Sequence, residues 1–203
     1  GDPCRSECLA AMRADAMVPE SRRIMAERSV PDTILADRSP RLQGLGPVAT
    51  SSTRLLVLGS FPGVTSLQTQ QYYGHPRNHF WSILGALWGV DLGALPYGDR
   101  LALMQARGVG LWDVYAACRR QGSLDSAIEA AEPNDLAGLA ARLPQLQAIA
   151  HNGGESARAM RITGALGRPV YRLPSTSPAN ASWSFDRKLA AWRAVFDAHL
   201  SPE

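Results

Sequence analysis

Lysine is almost absent from this chain: of 21 basic residues among 203, Lys188 is the only lysine and the rest are arginine. Chemistry that runs through a lysine amine, such as Schiff-base formation, therefore has a single side-chain candidate. Cysteine is scarce as well. Cys4, Cys8 and Cys118 are too few and too unevenly spread for a disulfide framework or a four-thiolate cluster, and a reducing, cytoplasmic setting is the expectation that follows. No apolar run approaches the roughly 18 residues of a membrane-spanning helix. Near the N-terminus Asp2 and Glu7 come early, with no apolar stretch of the secretory kind. A glycine-rich GxGxxG turn and a GxxxxGK[ST] loop are both missing, which removes the phosphate cradles of dinucleotide and P-loop proteins. No repeat period is present either.

What is there is a chain of 45% hydrophobic and 19% charged residues, enough for one well-buried domain and too short for two full ones. The net charge is only +3, with a pI near 9.0. Arginine grips phosphate with a planar fork, so this balance leaves a nucleic-acid partner open. Residues 1–41, rich in Arg, Ser and Pro, read as an N-terminal arm with a short helical possibility over residues 7–17. The arm is expected to be poorly ordered or partly a cloning remnant, with Gly1-Asp2-Pro3 as the remnant and Met25 as an alternative start.

From residue 42 onward the pattern alternates between strand and helix. Leu55-Leu56-Val57-Leu58, closed by Gly59, is a continuous apolar run that fits a strand buried on both faces. A long polar loop, 60–77, leads to Asn78, which opens a helix whose apolar residues fall at three-and-four spacing until Gly89. Further helices are predicted over 99–106, 135–142, 154–162 and 185–199, and further strands over 109–114, 147–151 and 170–173. Strands separated by helices imply an α/β fold, a three-layer α/β/α sandwich around a mainly parallel four-stranded sheet spanning a single domain, 42–203. Ligands of such sheets bind beyond the carboxyl ends of the strands, so the loops that start at Gly59, Val114, Asn152 and Pro174 should converge on one site.

Two stretches invite other chemistry. His151-Asn152-Gly153-Gly154-Glu155-Ser156-Ala157-Arg158 follows a strand and opens a helix, as a serine nucleophile elbow does, but Arg158 stands where the second glycine belongs and the only later histidine is His199. His75 and His79 are four apart, yet Pro76 intervenes and no carboxylate accompanies them, so a plain loop outweighs a zinc site.

The informative segment is Gly59-Ser60-Phe61-Pro62-Gly63, continued by Gln71-Tyr72-Tyr73-Gly74-His75-Pro76-Arg77-Asn78-His79-Phe80-Trp81. It resembles the first motif of the uracil-DNA glycosylase superfamily and is most similar to that of its hypoxanthine-DNA glycosylase family. Gly108-Val109-Gly110-Leu111-Trp112-Asp113 resembles the superfamily's second strand, and Leu173-Pro174-Ser175-Thr176-Ser177-Pro178-Ala179-Asn180-Ala181 its late DNA-binding loop. The three blocks occur in the family order and span the chain from about residue 42.

The resemblance implies an enzyme that extrudes a deaminated base, hypoxanthine first and uracil or xanthine as further substrates, and hydrolyses its glycosidic bond. Relatives place an Asp or Asn third in the first motif to position water; Phe61 stands there and can do neither. The family pattern moves that role to Asn78, although an asparagine at a helix start is also what capping alone would select. Ser60, Phe61 and Tyr73 are carried over as base-contacting residues, the two aromatics for stacking, with core packing as the alternative for each ring. Glycines at 63 and 74 allow close backbone approach. Asp113 matches the position at which relatives carry an Asn that reads the base edge, and an ionised carboxylate there would accept from a ring N–H such as N1–H of hypoxanthine; capping of the following turn is the alternative. Asn152 could recognise the base or cap the next helix. Leu173 replaces a histidine that in some relatives stabilises the leaving base.

For DNA, the resemblance points to Pro174, Ser175, Thr176, Ser177 and Asn180, joined by His75 and Arg77, whose short polar groups and charge suit phosphate oxygens. Arg172 and Arg187 could add to them. No metal and no organic cofactor is expected. The partner is double-stranded or single-stranded DNA, the state a monomer, and the mechanism monofunctional, because Lys188 falls in the last helix and not in a crevice loop. Two other readings stand beside this one: a catalytically silent binder of damaged DNA, and a small-molecule hydrolase built on Ser156.

Overall fold

The Leu55–Gly59 strand (β2) is where the fold begins to make sense. Leu55 and Val57 pack into one hydrophobic cluster and Leu56 and Leu58 into another, and all four are fully buried. A strand with period-two side chains can bury an unbroken apolar run only if both faces of its sheet are covered. Each such side chain contributes about 1.5–3 kcal/mol on leaving water. The computed structural model describes residues 39–201; residues 1–38 of the expected arm, with the helix expected over 7–17, lie outside the described residues, whereas Arg41, placed in the arm by the sequence, begins a strand because it pairs with Arg119.

The remaining elements follow in chain order as β1 (Arg41–Gln43) before β2, then α1 (Val64–Thr69), α2 (Phe80–Trp88), α3 (Tyr97–Ala106), β3 (Val109–Asp113), β4 (Tyr115–Arg119) and β5 (Glu129–Pro133). They continue as α4 (Leu136–Ala141), β6 (Ala148–Asn152), α5 (Gly154–Ala157), α6 (Met160–Gly164), β7 (Val170–Leu173) and α7 (Phe185–Leu200). The central sheet is four-stranded, in the order β3-β2-β6-β7, and every pairing is parallel. Phe80, Ile83 and Leu84 of α2, Met104 of α3, and Trp192 and Phe196 of α7 cover the face that carries Leu55 and Val57. Leu136 and Leu139 of α4, with Leu143 and Ala159, cover the other. The expected three-layer sandwich is therefore present.

After β2 the chain adds β3 on one side of it and later β6 on the other. The connections thus diverge at the carboxyl end of β2, which opens a crevice just beyond Gly59.

Three features differ from the sequence expectation. A second sheet, antiparallel in the order β1-β4-β5, stands beside the first. Its strands Tyr115-Ala-Ala-Cys-Arg and Glu129-Ala-Ala-Glu-Pro are built from alanine and glutamate, residues with little strand preference, so pairing and not propensity makes them extended. The loop 60–77 contains a short helix, α1, ended by Gln70 in the left-handed region. The single helix expected over 154–162 is two short ones, parted where Ala159 adopts φ −83°, ψ 4°.

Candidate active site

A cavity of about 660 Å³ lies beyond the carboxyl ends of the parallel strands, within the usual range for small-molecule sites. The loops after Gly59, Asn152 and Leu173 meet there as expected, whereas the chain after Val114 runs on into β4 and reaches the cavity only through its connection to β5. Of the residues expected to catalyse or to contact base or DNA, Gly74, Arg77 and Arg187 do not line it. Arg77 lines a neighbouring groove of about 440 Å³ that shares Asn78, Pro178, Asn180 and Trp183 with the main cavity.

Gly59 and Asp113 pair in register at the ends of β2 and β3. Asp113 is 4% exposed, and its Oδ2 is buried without a hydrogen-bond partner among the described residues. Burial, reinforced by the nearby Asp125 and partly offset by Arg120, pushes its carboxyl up to about 7. Asp113 does not cap a turn with its side chain; its carbonyl accepts from the Asn134 amide instead.

Asn78 sits just ahead of α2. His79 is the residue at the cap position, yet the Asn78 Oδ1 accepts the Phe80 N–H at 3.0 Å, so the capping function expected of an asparagine is performed from one residue earlier. That bond uses one lone pair of Oδ1, while the Nδ2 group has no partner among the described residues.

Tyr73 is held in the left-handed region at φ 54°, uncommon for a bulky residue, with its ring stacked on Phe80 at 4.1 Å. One ring face is thereby taken by the core. Its hydroxyl accepts from Asn152 Nδ2 at 3.2 Å, and burial pushes its pKa well above that of a free tyrosine. Phe61 is 6% exposed and lines the cavity, with the Arg120 guanidinium 5.2 Å from its ring centroid. Arg120 also donates to the Pro62 carbonyl, which ties down the loop that carries Phe61.

Asn152 is a strut. Nδ2 donates to the Tyr73 hydroxyl and, at 2.9 Å, to Thr176 Oγ1, and Oδ1 accepts the Thr176 N–H at 3.0 Å. Gly153, not Asn152, precedes α5 at its cap; its φ of 96° and its closeness to Ser175 leave no room for a side chain. Thr176 is fully buried, and its carbonyl accepts the His79 N–H, so its polar groups hold the loop and are turned away from solvent. Ser175 and Ser177 accept backbone N–H groups at 3.2 Å each and keep their hydroxyl protons to donate. The Asn180 amide bridges back to the Ser175 carbonyl at 3.1 Å. His75 Nδ1 accepts the Arg77 N–H at 3.1 Å, whereas His79 Nδ1 lies 3.4 Å from Lys188 Nζ, so the two rings serve different partners.

Sequence reading missed one wall of the cavity. The connection between β4 and β5 supplies Ser123, Leu124, Asp125 and Ser126 to it. The Asp125 carboxylate accepts the Ser60 hydroxyl at 2.6 Å, and Ser123 Oγ accepts the Val64 N–H at 2.9 Å. The only local signal was a Gly-Ser-Leu-Asp-Ser turn composition with no apolar pattern.

Lys188 is nearer the site than its place in the last helix suggested. It is 1% exposed, and Nζ lies 3.4 Å from both His79 Nδ1 and the Ser177 carbonyl. Burial lowers its pKa, and that of His79 falls through burial and then the lysine charge.

The elbow-like stretch resolves differently. Ser156 is fully buried, donates to the Leu58 carbonyl at 2.7 Å and meets His151 Nδ1 at 2.8 Å, while His151 Nε2 meets Thr163 Oγ1 at 2.8 Å. Burial pushes His151 down to about 4, so the ring is neutral and takes part in a sealed polar chain. With its proton committed and no route to the cavity, Ser156 is not placed as a nucleophile.

The sequence profile of the Uracil DNA glycosylase superfamily matches residues 46–196. Two proteins called Hypoxanthine DNA glycosylase, from Methanosarcina barkeri and Methanosarcina acetivorans, are each 38% identical over 154 residues, which is 76% of this chain and 97% of theirs. A solution NMR structure of a Methanosarcina acetivorans protein, provisionally described as a uracil DNA glycosylase, superposes with a TM-score of 0.72 at 36% identity, covering 78% of this chain and 98% of its own. The match runs through every loop that builds the cavity, and the chain belongs to the uracil DNA glycosylase superfamily.

Proposed function

We propose that this DNA glycosylase removes hypoxanthine from DNA by hydrolysis, without a covalent enzyme intermediate. The observation that carries the reading is Asp113, a carboxyl at the cavity floor with one oxygen unpartnered among the described residues. Deamination turns a ring nitrogen from acceptor into donor: adenine N1 accepts, whereas N1 of hypoxanthine carries a hydrogen. An ionised carboxylate accepts and cannot donate, so at the ring nitrogen it favours the deaminated base and meets adenine N1 acceptor to acceptor. Uracil and xanthine also offer a ring N–H and are secondary substrates on the same logic; the cavity volume accommodates a purine. The names of the two Methanosarcina relatives support the purine assignment.

In the reaction the bond between the sugar C1′ and the base nitrogen breaks, its electron pair leaves with the base, and a water oxygen bonds to C1′ while its proton goes, through solvent, to the departing base anion. The departing base is extruded from the stack before cleavage and rests against Phe61. Asn78 orients the water through the free lone pair of Oδ1, and its amide dipole faces the positive sugar. An amide is no strong base, so this contribution is geometric and electrostatic. Leu173 offers the leaving base no hydrogen bond, which suits a modest turnover. Ser175 and Ser177 donate to phosphate oxygens and fix the strand's register.

The test uses oligonucleotides that carry a single inosine, uracil, xanthine or adenine, incubated with protein and then heated in alkali. Inosine strands should break first and adenine strands not at all. Without alkali the abasic strand should stay whole, and borohydride should trap no protein–DNA adduct; a Lys188-dependent adduct would overturn the monofunctional mechanism. Binding without any strand break would leave a silent binder as the reading.

A further inference from the structure

We propose that Trp183 is a stacking platform for a nucleobase next to the extruded nucleotide, and that the groove beside it carries the DNA strand onward from the active site. The proposal rests on DNA as the partner but not on which base is excised. Of the other four tryptophans, Trp81, Trp112 and Trp192 each donate their ring N–H to a backbone carbonyl, and Trp88 packs against the core beside Phe196 and lines neither space. The Trp183 N–H has no partner among the described residues, and the ring is only partly buried, between exposed Ser182 and exposed Ser184.

Its place is specific. Trp183 lines both the 660 Å³ cavity and the adjoining 440 Å³ groove, and so do Asn78, Pro178 and Asn180. The ridge between the two spaces is therefore made of the residue proposed to orient water, two residues of the phosphate-facing loop, and this indole. The Arg187 guanidinium lies 4.1 Å from the ring centroid and supports one face of it, which leaves the other face for a ligand. Stacking on an aromatic surface is sequence-tolerant, because every nucleobase has a π-face.

The groove has the matching charge for a strand. Arg77 lines it beside Ser82 and Ser184, with Lys188 buried at its base, and Arg187 stands at the rim behind the indole. Among the described residues no carboxylate lines it. Aromatic surface next to a cationic, hydroxyl-bearing track is the arrangement that holds an unpaired strand. An apolar surface placed there also fills space left when a base swings out of the duplex.

The experiment measures binding of the full chain to an oligonucleotide that carries a stable abasic analogue, so that neither base recognition nor turnover enters. Intrinsic tryptophan fluorescence should fall on binding, and Trp183→Phe should lose most of that change while keeping affinity within about threefold. Trp183→Ala should weaken binding by at least fivefold, with the slope of log Kd against log salt unchanged, because stacking releases no counterions. Two results would overturn the proposal: an affinity for Trp183→Ala within twofold of the parent, or a weakening accompanied by a slope reduced by about one. The second would mean that the indole merely holds Arg187 against a phosphate. A parent protein that binds no DNA would overturn both this proposal and the glycosylase reading. Trp183-dependent binding with excision of another base but not of inosine would overturn only the choice of base.

Discussion

The carboxylate of Asp113 occupies the space that a side chain at Gly59 would need. The two residues pair across the ends of β2 and β3, and a Cβ on Gly59 would fall inside van der Waals contact with Asp113 Oδ1 and within 3.4 Å of the Tyr73 hydroxyl. Glycine at this position serves close approach and not backbone conformation.

Replacing Gly59 with alanine should therefore displace the Asp113 carboxyl. Overpacking of this kind costs about 1–3 kcal/mol, and Asp113 cannot retreat into a packed floor. Denaturant melts should show that loss, and excision of inosine should fall further than the stability change explains. A variant with parent-like excision would place Asp113 outside base recognition.

Asp113→Asn should alter both substrate choice and pH response. The folded carboxyl titrates near 7 against 3.8 for an unperturbed group, so between about pH 4 and pH 7 the folded state binds more protons than the unfolded one. Stability from this group accordingly falls as pH rises through that window. The asparagine variant should gain thermal stability relative to the parent at pH 8 and much less at pH 5. In the parent, single-turnover excision of hypoxanthine should rise as the carboxyl ionises around pH 7; the variant's profile should be flat there and its preference among hypoxanthine, uracil and adenine changed.

Asn78 has two jobs, separable by choice of variant. Asn78→Ala removes the bond to the Phe80 N–H and should cost about 1 kcal/mol of stability, whereas Asn78→Ser can keep that bond. Both should lose at least about tenfold in single-turnover excision, in keeping with the loss of a group that positions the reactant. Full activity in the serine variant would assign Asn78 to capping alone.

Ser156→Ala tests the sealed polar chain. The change leaves the Leu58 carbonyl and His151 Nδ1 without their partner in a buried setting, a loss of about 1–3 kcal/mol. Excision per folded molecule should be unchanged. Abolished activity in a folded variant would revive a serine-based mechanism.

Much of this fold is legible in the sequence. The run from Leu55 to Leu58 can be buried only in a sheet covered on both sides, and the ends of predicted strands at Gly59, Asp113, Asn152 and Leu173 all line the cavity. What escaped has a common character. Glu129-Ala-Ala-Glu-Pro has no strand preference and becomes a strand only because β4 lies beside it. Asp125 enters the site through a hydrogen bond to Ser60, 65 positions away, and Asn152 is claimed by Thr176, 24 positions on. Such pairings leave no local periodicity to read.

The sequence by itself determined the parallel sheet, the order of its strands along the chain and the superfamily, because burial of apolar runs and a long contiguous motif are properties of neighbouring residues. Tertiary structure alone decided the rest: that Asp125 forms a wall, that Asn152 is a strut, that Ser156 is sealed and that Lys188 reaches the loop at Ser177. Each of these depends on which polar groups are left partnered once distant segments have excluded water, and that accounting closes only when the chain is folded.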